Sequence, residues 1–252
     1  PDADMCVLRT LLRHRAQLIE HRAPHIAHMQ YALTQMNLRL SVVLTDIMGT
    51  TGQAIIRAIV AGERDPVVLA RLRHPRCASP EETIAKALSG TWQAEHLFIL
   101  QQALELFDSY TAKIQICDAE IERQFSLLKP RFESDEPAPA LPAAKPNSKS
   151  KNAPSFNARA EVARISGVDL VAVTGIAAST AQTILSEIGT DMRRFPSVKH
   201  FCSWLGLAPH NDISGGKVLR RRTLKVTSRA NQAFRAAAQS VARSDSTFGA
   251  FF

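Results

Sequence analysis

Residues 100–128 read LQQALELFDSYTAKIQICDAEIERQFSLL, and apolar side chains recur in this stretch at every seventh position. The repeating positions are Leu100, Phe107, Ile114, Ile121 and Leu128, and the first four are followed three places later by Ala103, Tyr110, Cys117 and Gln124. This is the a and d pattern of a helix that buries one narrow seam against another helix. The stretch therefore predicts a long helix within a coiled-coil unit.

Two partners for this seam fit the sequence. Residues 3–46 form a second helical run, with apolar side chains near helical spacing from Leu8 to Leu40. Pro24 lies in this run and should kink it or split it in two. We expect the two long segments to pack antiparallel within one chain, in a pairing that also extends into a dimer. A seam against a partner chain is the alternative.

The first helical run is also rich in basic side chains and histidines. A solvated helix face is the simpler interpretation, and a basic rail along a nucleic-acid backbone is the functional one. Histidines recur at spacings of three and four, but no cluster of carboxylates or thiolates accompanies them to complete a metal site, so no metal is predicted. The residues concerned are Arg9, Arg13, His14, Arg15, His21, Arg22, His25 and His28.

Two further helix starts can be read from capping residues. Asp65-Pro66 predicts an N-cap followed by proline at the first helical position. Ser79-Pro80-Glu81-Glu82 predicts a capping box, in which the serine caps the helix and a glutamate bonds back to it.

The chain divides into three segments by composition. Residues 1–133 form the helical and coiled-coil region, and residues 158–252 form a small, basic, all-α domain. Residues 134–157 contain five prolines with several serines and lysines, which predicts a flexible linker. With 45% apolar residues and few tyrosines and tryptophans, the whole chain is expected to be mainly α.

Positive charge is concentrated near the C-terminus. The formal net charge is +8, and residues 199–243 hold nine lysines and arginines against one acid, Asp212. A concentrated basic segment is the electrostatic signature of a nucleic-acid binder. An anionic membrane surface is the competing partner, but this segment has no aromatic, strongly amphipathic face to favour it. We therefore expect DNA as a partner and no membrane.

The cysteines and the chain start bear on location and completeness. Cys6, Cys77, Cys117 and Cys202 are far apart and form no CxxC pair, so we expect reduced, buried thiols in a cytoplasmic protein. No signal peptide or membrane-spanning run is present. The sequence begins at Pro1 without methionine, and we expect that a segment has been removed upstream.

A turn in the C-terminal domain is similar to a helix-hairpin-helix motif. Gly175-Ile176 precedes small residues, including Ser179 and Thr180, and then an amphipathic helix that ends in Glu-Ile-Gly. Such a glycine lets the backbone approach a phosphate, and the helix N-terminus offers free N–H groups. We interpret these four residues as contacts to the DNA backbone, with an ordinary helix pair in a small core as the alternative.

At this point the sequence resembles a known family. The order of motifs is similar to the C-terminal domain of the insertion sequence 110/1111 transposases, which are DEDD-type serine transposases guided by a bridge RNA. The resemblance is strong over residues 160–243 and weaker over residues 1–128. Ala230 is a departure, because the family usually has glycine there. The motifs are Glu187-Ile188-Gly189, Trp204-Leu205-Gly206-Leu207-Ala208-Pro209, Ser214-Gly215-Gly216-Lys217, and Asn231 followed by Arg235.

The resemblance implies a catalytic role for Ser214, as the nucleophile that attacks a DNA phosphodiester. A serine hydroxyl needs an activating base or metal and cationic help for this step. The glycines after it would let DNA approach, and the basic side chains would hold phosphate oxygens. The nucleic-acid-binding residues expected in this block are Gly215, Gly216, Lys217, Arg220, Arg221, Arg222, Lys225, Arg229 and Arg235. The alternative is that Ser-Gly-Gly is merely a turn.

The resemblance also implies what this sequence lacks. The family holds Mg²⁺ on an Asp/Glu/Asp/Asp tetrad in an N-terminal domain with a resolvase-like fold, and Asp2 and Asp4 cannot replace four convergent carboxylates. We expect no cofactor in this chain, Mg²⁺ only in a full-length protein, and no cleavage by the isolated chain. A structured guide RNA and a dimer or tetramer are further expectations.

Two other functions fit the sequence less well. One is a non-catalytic helix-hairpin-helix accessory protein that binds DNA. The other is a helical scaffold whose basic tail only aids solubility, which would show little salt-dependent affinity for nucleic acid because it neutralises few phosphates.

Overall fold

The computed structural model describes residues 3–131, 141, 151–220, 222–223, 226–247 and 249–251. In these ranges the chain is mainly helical, as predicted, and a small two-stranded antiparallel sheet is added. The helices are α1 Ala3–Gln35, α2 Leu40–Val43, α3 Thr50–Val60, α4 Pro66–Arg71, α5 Glu81–Ala87, α6 Ala94–Leu127, α7 Ala158–Ser166, α8 Ala178–Ile188, α9 Val198–Trp204 and α10 Arg229–Val241. The strands are β1 Asp212–Ser214 and β2 Lys217–Arg220.

The contacts divide the chain into two compact units. Unit 1 consists of Pro1–Arg15 and Gln115–Phe252, and unit 2 is Ala16–Ile114. Most of the predicted linker lies outside the described residues, which include only residue 141 and residues 151–157 of it. The division into segments 1–133, 134–157 and 158–252 therefore stays a prediction. No helix in the described ranges is both long and apolar enough to cross a membrane.

Unit 2 has an apolar core to which α3 contributes one complete face. Ile55, Ile56 and Ile59 lie three and four residues apart, which places them on the same side of the helix, and all three are fully buried. They belong to the same cluster as Met29 of α1 and Leu100 of α6. Each such side chain stabilises the fold by roughly 1.5 to 3 kcal/mol when it leaves water.

The every-seventh-residue positions of the predicted seam are buried from Leu100 to Leu128, as are Ala103 and Cys117, whereas Tyr110 and Gln124 are half-buried. In unit 2, the His25 ring stacks on Tyr110 with centroids 5.5 Å apart. In unit 1, the Cys117 thiol lies 3.7 Å from the Leu11 carbonyl oxygen. Within unit 2, Tyr31 meets His96, whereas the earlier residue Arg22 meets the later residue Thr111, so the predicted antiparallel contact within the chain is observed there.

Pro24 does not split the first helical run. Helix α1 continues through it from Ala3 to Gln35, so that alternative is wrong. Proline removes only one backbone N–H donor, and the helix on both sides of it is held by α6. Arg22 donates to the Thr111 hydroxyl (3.1 Å), and His25 stacks on Tyr110.

Of the two predicted helix starts, the one at Asp65 is confirmed and the one at Ser79 is wrong. Asp65 caps α4 by accepting a hydrogen bond from the Val67 N–H (2.8 Å), with Pro66 at the first helical position, as predicted. The capping box at Ser79 is wrong, because Pro80 is the N-cap of α5 and no side chain bonds there. The Ser79 hydroxyl instead donates to the carbonyl of Val43, which lies outside its own helix.

Two arginines of α1 bind the C-terminal end of α8 within unit 1. Arg9 donates to the carbonyl oxygens of Ser186 (2.9 Å) and Glu187 (3.3 Å), which have no partner inside the helix. Arg13 pairs with both carboxylate oxygens of Glu187, at 2.9 and 2.8 Å. These side chains therefore serve intrachain contacts, which neither interpretation of the basic run had anticipated.

The C-terminal lobe, residues 158–251, packs α8 against α7 and α10. Its core contains Ile184, Ile188, Leu205 and Ala230. Ala230, where the family usually has glycine, is fully buried in the first turn of α10, and the Ser228 side chain caps this helix. The helix start is therefore intact despite the departure.

Gly175 allows a close contact between the turn before α8 and helix α10. Its φ is +89°, and an added Cβ would lie 2.5 Å from the Ala237 carbonyl oxygen and 2.7 Å from a methyl group of Val241. Both backbone conformation and space therefore require glycine. Gly189 has a similar φ of +83°, but an added Cβ would meet nothing within 4 Å.

We predict that Gly175→Ala destabilises the lobe more than Gly189→Ala does. Gly189→Ala should cost about 1 to 2 kcal/mol from backbone strain alone. Gly175→Ala should cost about 1 to 3 kcal/mol more, because α10 must also move. Urea unfolding of both variants measures the difference, and equal losses would contradict the packing role of Gly175.

We predict a large stability loss for Asp118→Asn. The carboxylate is buried in an ion pair with the buried Arg15, and leaving that guanidinium unpaired should cost about 3 kcal/mol of unfolding free energy. Glu120→Gln is the matched control on the same helix, because the Glu120–Arg123 pair is exposed and should contribute little. Similar unfolding midpoints for the two variants would refute the prediction.

Candidate nucleic-acid interface

The Ser-Gly-Gly element forms a β-hairpin, which corrects the expectation of an all-α C-terminal domain. Gly215 and Gly216 have φ values of +56° and +78°, and they join the paired residues Ser214 and Lys217. Two positive φ values in a two-residue loop define a type I′ turn, whose twist matches that of the strands. Two adjacent glycines between short strand-forming residues are a known hairpin signal, and this signal was missed.

Ser214 is exposed at the end of β1, directly before the turn. Lys217 lies opposite it on β2 and is also exposed. Among the described residues, no hydrogen-bond partner of the Ser214 hydroxyl is found, and the one carboxylate of the hairpin, Asp212, pairs with Arg222 at 3.4 Å. The hydroxyl is therefore accessible from solvent, and the part of the chain that the structure describes places no activating base beside it.

Three of the predicted basic side chains of this block, Lys217, Arg220 and Arg222, lie on or beside the hairpin. Lys217 and Arg220 are exposed on β2, and Arg222 lies two residues after the end of this strand. Backbone pairing continues beyond the strands, because the His210 N–H donates to the Arg222 carbonyl oxygen (2.6 Å). Arg221 and Lys225 lie outside the described residues.

A second group of predicted residues lines a groove between α8 and α10. Ser179 and Thr180 come from the first turn of α8, and Arg229 is the first residue of α10. The groove is open and has a volume of about 390 Å³. Its remaining lining residues are Thr183, Gln232 and Ala233.

This groove combines hydroxyl groups, an amide and a guanidinium, which are the groups that bind phosphate oxygens. The sequence interpretation missed Thr183 and Gln232. Thr183 lies four residues after Ser179, and Gln232 lies three after Arg229, so helical spacing could have found both.

The other predicted contacts lie elsewhere in the lobe. Gly175 packs against α10, and Ile176 is half-buried against the lobe core. Arg235 is exposed but is not among the groove residues. Six positions after Arg229, it lies about 120° away around α10 at about 100° per residue.

Ion pairs formed by the acidic side chains of the lobe leave several of its basic side chains without an acidic partner among the described residues. Five acidic side chains each pair with an arginine, and the Arg159 guanidinium holds the pKa of Asp169 below its usual value. Within the described lobe, in contrast, no acidic partner is found for Lys217, Arg220 or Arg229. The five pairs are Glu161–Arg164, Asp169–Arg159, Glu187–Arg13, Asp191–Arg193 and Asp212–Arg222.

The described residues do not fit a Mg²⁺ site. No group of three or more His, Cys, Asp or Glu side chains converges among them. In the histidine run of α1, burial and the neighbouring His28 lower the pKa of His25. All four cysteines are free, but Cys6 is exposed, so the expectation that they are all buried is wrong.

Comparison with known proteins gives one result. The family model described as "Transposase IS116/IS110/IS902 family" matches residues 169–252, which include the groove and the hairpin. No curated protein and no solved structure matches the chain. The C-terminal third of the chain thus carries the sequence pattern of this transposase family, and the match supports a role in transposition of an insertion sequence.

Proposed function

We propose that this chain is the DNA-binding and nucleophile-bearing part of a transposase. The observation that carries the proposal is the position of Ser214: an exposed serine beside a two-glycine turn, on a basic hairpin. This hairpin lies inside the stretch that matches the transposase family.

Binding would begin with the phosphate backbone. The groove residues Ser179, Thr180 and Arg229 can donate to phosphate oxygens, together with the N–H groups of the first turn of α8, which no side chain caps. Helices α7 and α8 with the turn at Gly175 would act as a helix-hairpin-helix element. Such contacts position DNA without reading its sequence.

Cleavage would then use the hairpin. The Ser214 oxygen attacks phosphorus, a serine–phosphate bond forms, and the bond to the leaving deoxyribose oxygen breaks. Lys217, opposite Ser214, would stabilise the charge that develops on the phosphate. The serine proton needs an acceptor, and none lies beside it among the described residues. A carboxylate-rich domain with Mg²⁺, as in the family that the chain resembles, would have to complete this site.

The remaining parts of the proposal follow from the same resemblance. A structured guide RNA would supply sequence specificity by base pairing. The α1–α6 seam would act as a coiled coil that extends into a dimer or tetramer, with residues 134–157 as a flexible linker. A cytoplasmic location fits free cysteines.

A non-catalytic DNA-binding accessory protein is the second candidate. It is favoured by the lack of a base beside Ser214 among the described residues. This candidate shares the phosphate contacts but assigns the hairpin no chemistry.

We predict salt-dependent binding of duplex DNA by the chain as it stands. Lys217→Gln and Arg229→Gln should each weaken binding similarly for unrelated sequences and lower the slope of log affinity against log salt by about 1. Arg193→Gln is the matched control, because Asp191 already neutralises this exposed arginine. Fluorescence anisotropy at several salt concentrations gives the slopes. Equal effects of all three variants would contradict the assigned interface.

We predict that Ser214→Ala abolishes covalent attachment to DNA without weakening DNA binding. The assay combines the chain with a separately supplied carboxylate-rich transposase domain and looks for protein–DNA adducts on denaturing gels. Without that domain, no adduct is expected from either protein. Ser197→Ala is the control, because Ser197 is exposed and lies 2.8 Å from a His200 ring nitrogen, an arrangement that could also activate a serine. Loss of the adduct in Ser197→Ala but not in Ser214→Ala would identify Ser197, rather than Ser214, as the nucleophile.

A further inference from the structure

The hairpin exposes large aliphatic side chains as well as basic ones. Ile213, Val218 and Leu219 are 63%, 43% and 70% exposed. Two-stranded hairpins normally bury one face against a core, but residues 213–220 are all exposed. We call residues 212–220 the arm. Its apolar surface has no partner in the described chain.

Leu219 lies at a β-bulge of the arm. Ile213 pairs with Val218, and Asp212 pairs with Arg220, so Leu219 is an extra residue with no partner on β1. A bulge of this kind bends the strand and redirects a side chain out of the regular ladder. The most exposed aliphatic group of the arm is therefore also the one that the ladder leaves free.

The charges on the arm indicate what covers it. Lys217 and Arg220 flank the aliphatic residues, and Asp212 is already paired with Arg222. A second copy of the arm, paired edge to edge, would bring like charges together, which is destabilising. A polyanion with apolar surface between its charges fits better. Duplex DNA has this character, and two-stranded ribbons enter its major or its minor groove.

We propose that the arm enters a DNA groove and that Leu219 inserts between base pairs beside the phosphodiester presented to Ser214. Aliphatic wedges of this kind unstack a base step and bend the duplex. The bend would expose one phosphodiester to a hydroxyl that lies five residues earlier on the same hairpin. This inference rests on the proposed DNA binding, but it assigns base contact where that proposal assigns only phosphate contact.

The test compares two duplexes that differ by one central mismatch, with 2-aminopurine next to it. A mismatched step is already partly unstacked, so wild-type protein should bind it about tenfold more tightly than the perfect duplex. The 2-aminopurine fluorescence should rise on binding. Leu219→Ala should lose both effects and keep its affinity for the perfect duplex. Leu127→Ala is the matched control, a leucine 63% exposed at the end of α6 in the same unit, and should behave as wild type.

The outcomes separate this inference from the proposed function. Salt-dependent binding without mismatch preference or fluorescence change would overturn the wedge and leave phosphate binding standing. Equal weakening of both complexes by Leu219→Ala would overturn it as well, because Leu219 would then contribute only general contact. A change of oligomeric state in Leu219→Ala, with fluorescence unaffected, would assign the arm to a protein interface. Failure to bind any duplex at low salt would overturn both proposals.

Discussion

The buried ion pair between Arg15 and Asp118 joins three distant parts of unit 1. Arg15 also donates to the carbonyl oxygen of Asn152 (3.1 Å), and Asp118 accepts from the N–H of Ser155 (3.1 Å). A buried charge is tolerated only when it is paired and its remaining hydrogen-bonding groups are satisfied. Helix α1, helix α6 and the segment that leads into the C-terminal lobe must therefore meet at this point. The segment that leads into the lobe is thus anchored by hydrogen bonds to this buried ion pair.

The same logic separates structural from functional arginines. Arg9, Arg13 and Arg15 all have acceptors within the chain, although the sequence places them in a basic run that could suit nucleic acid. Arg220 and Arg229, in contrast, have no acidic partner among the described residues. An arginine that forms no ion pair with a carboxylate of the same chain keeps its guanidinium donors available for phosphate. The candidate interface is therefore indicated by arginines that lack an internal acidic partner, rather than by the number of basic residues in a stretch of sequence.

Local patterns in the sequence predicted more of this fold than of the site. The burial of the α6 heptads and the Asp65 cap depend on residues a few positions apart, and both were predicted. The hydrogen bond of the Ser79 hydroxyl to Val43, which is 36 residues away, was not predicted. Capping rules consider only the neighbouring backbone. The hairpin was missed for a different reason. Helical expectations for the basic domain outweighed the local signal of Gly215-Gly216.

For the candidate site, the residues that bind nucleic acid could be proposed from the sequence, but which of them lie together in space could not. Ser179, Thr180 and Arg229 were all predicted to bind nucleic acid, yet only the packing of α8 on α10 brings them into one groove. Gly175 was assigned to the phosphate contact, whereas its missing side chain is required by Ala237 of α10. A glycine in a turn indicates that another group approaches the backbone closely. The sequence does not distinguish a bound ligand from another part of the same protein.

The contact of Arg13 with Glu187 has a consequence for how this protein reaches its native state. The two residues are 174 positions apart, so the ribosome releases the first helix long before its partner exists. Contacts between remote parts of a sequence slow folding, since the chain must close a large loop before the contact stabilises anything. The first turns of α1 must therefore wait for this contact until residue 187 has been synthesised, although Leu11 can meet Cys117 of α6 earlier. During that interval they are suitable sites for chaperone binding.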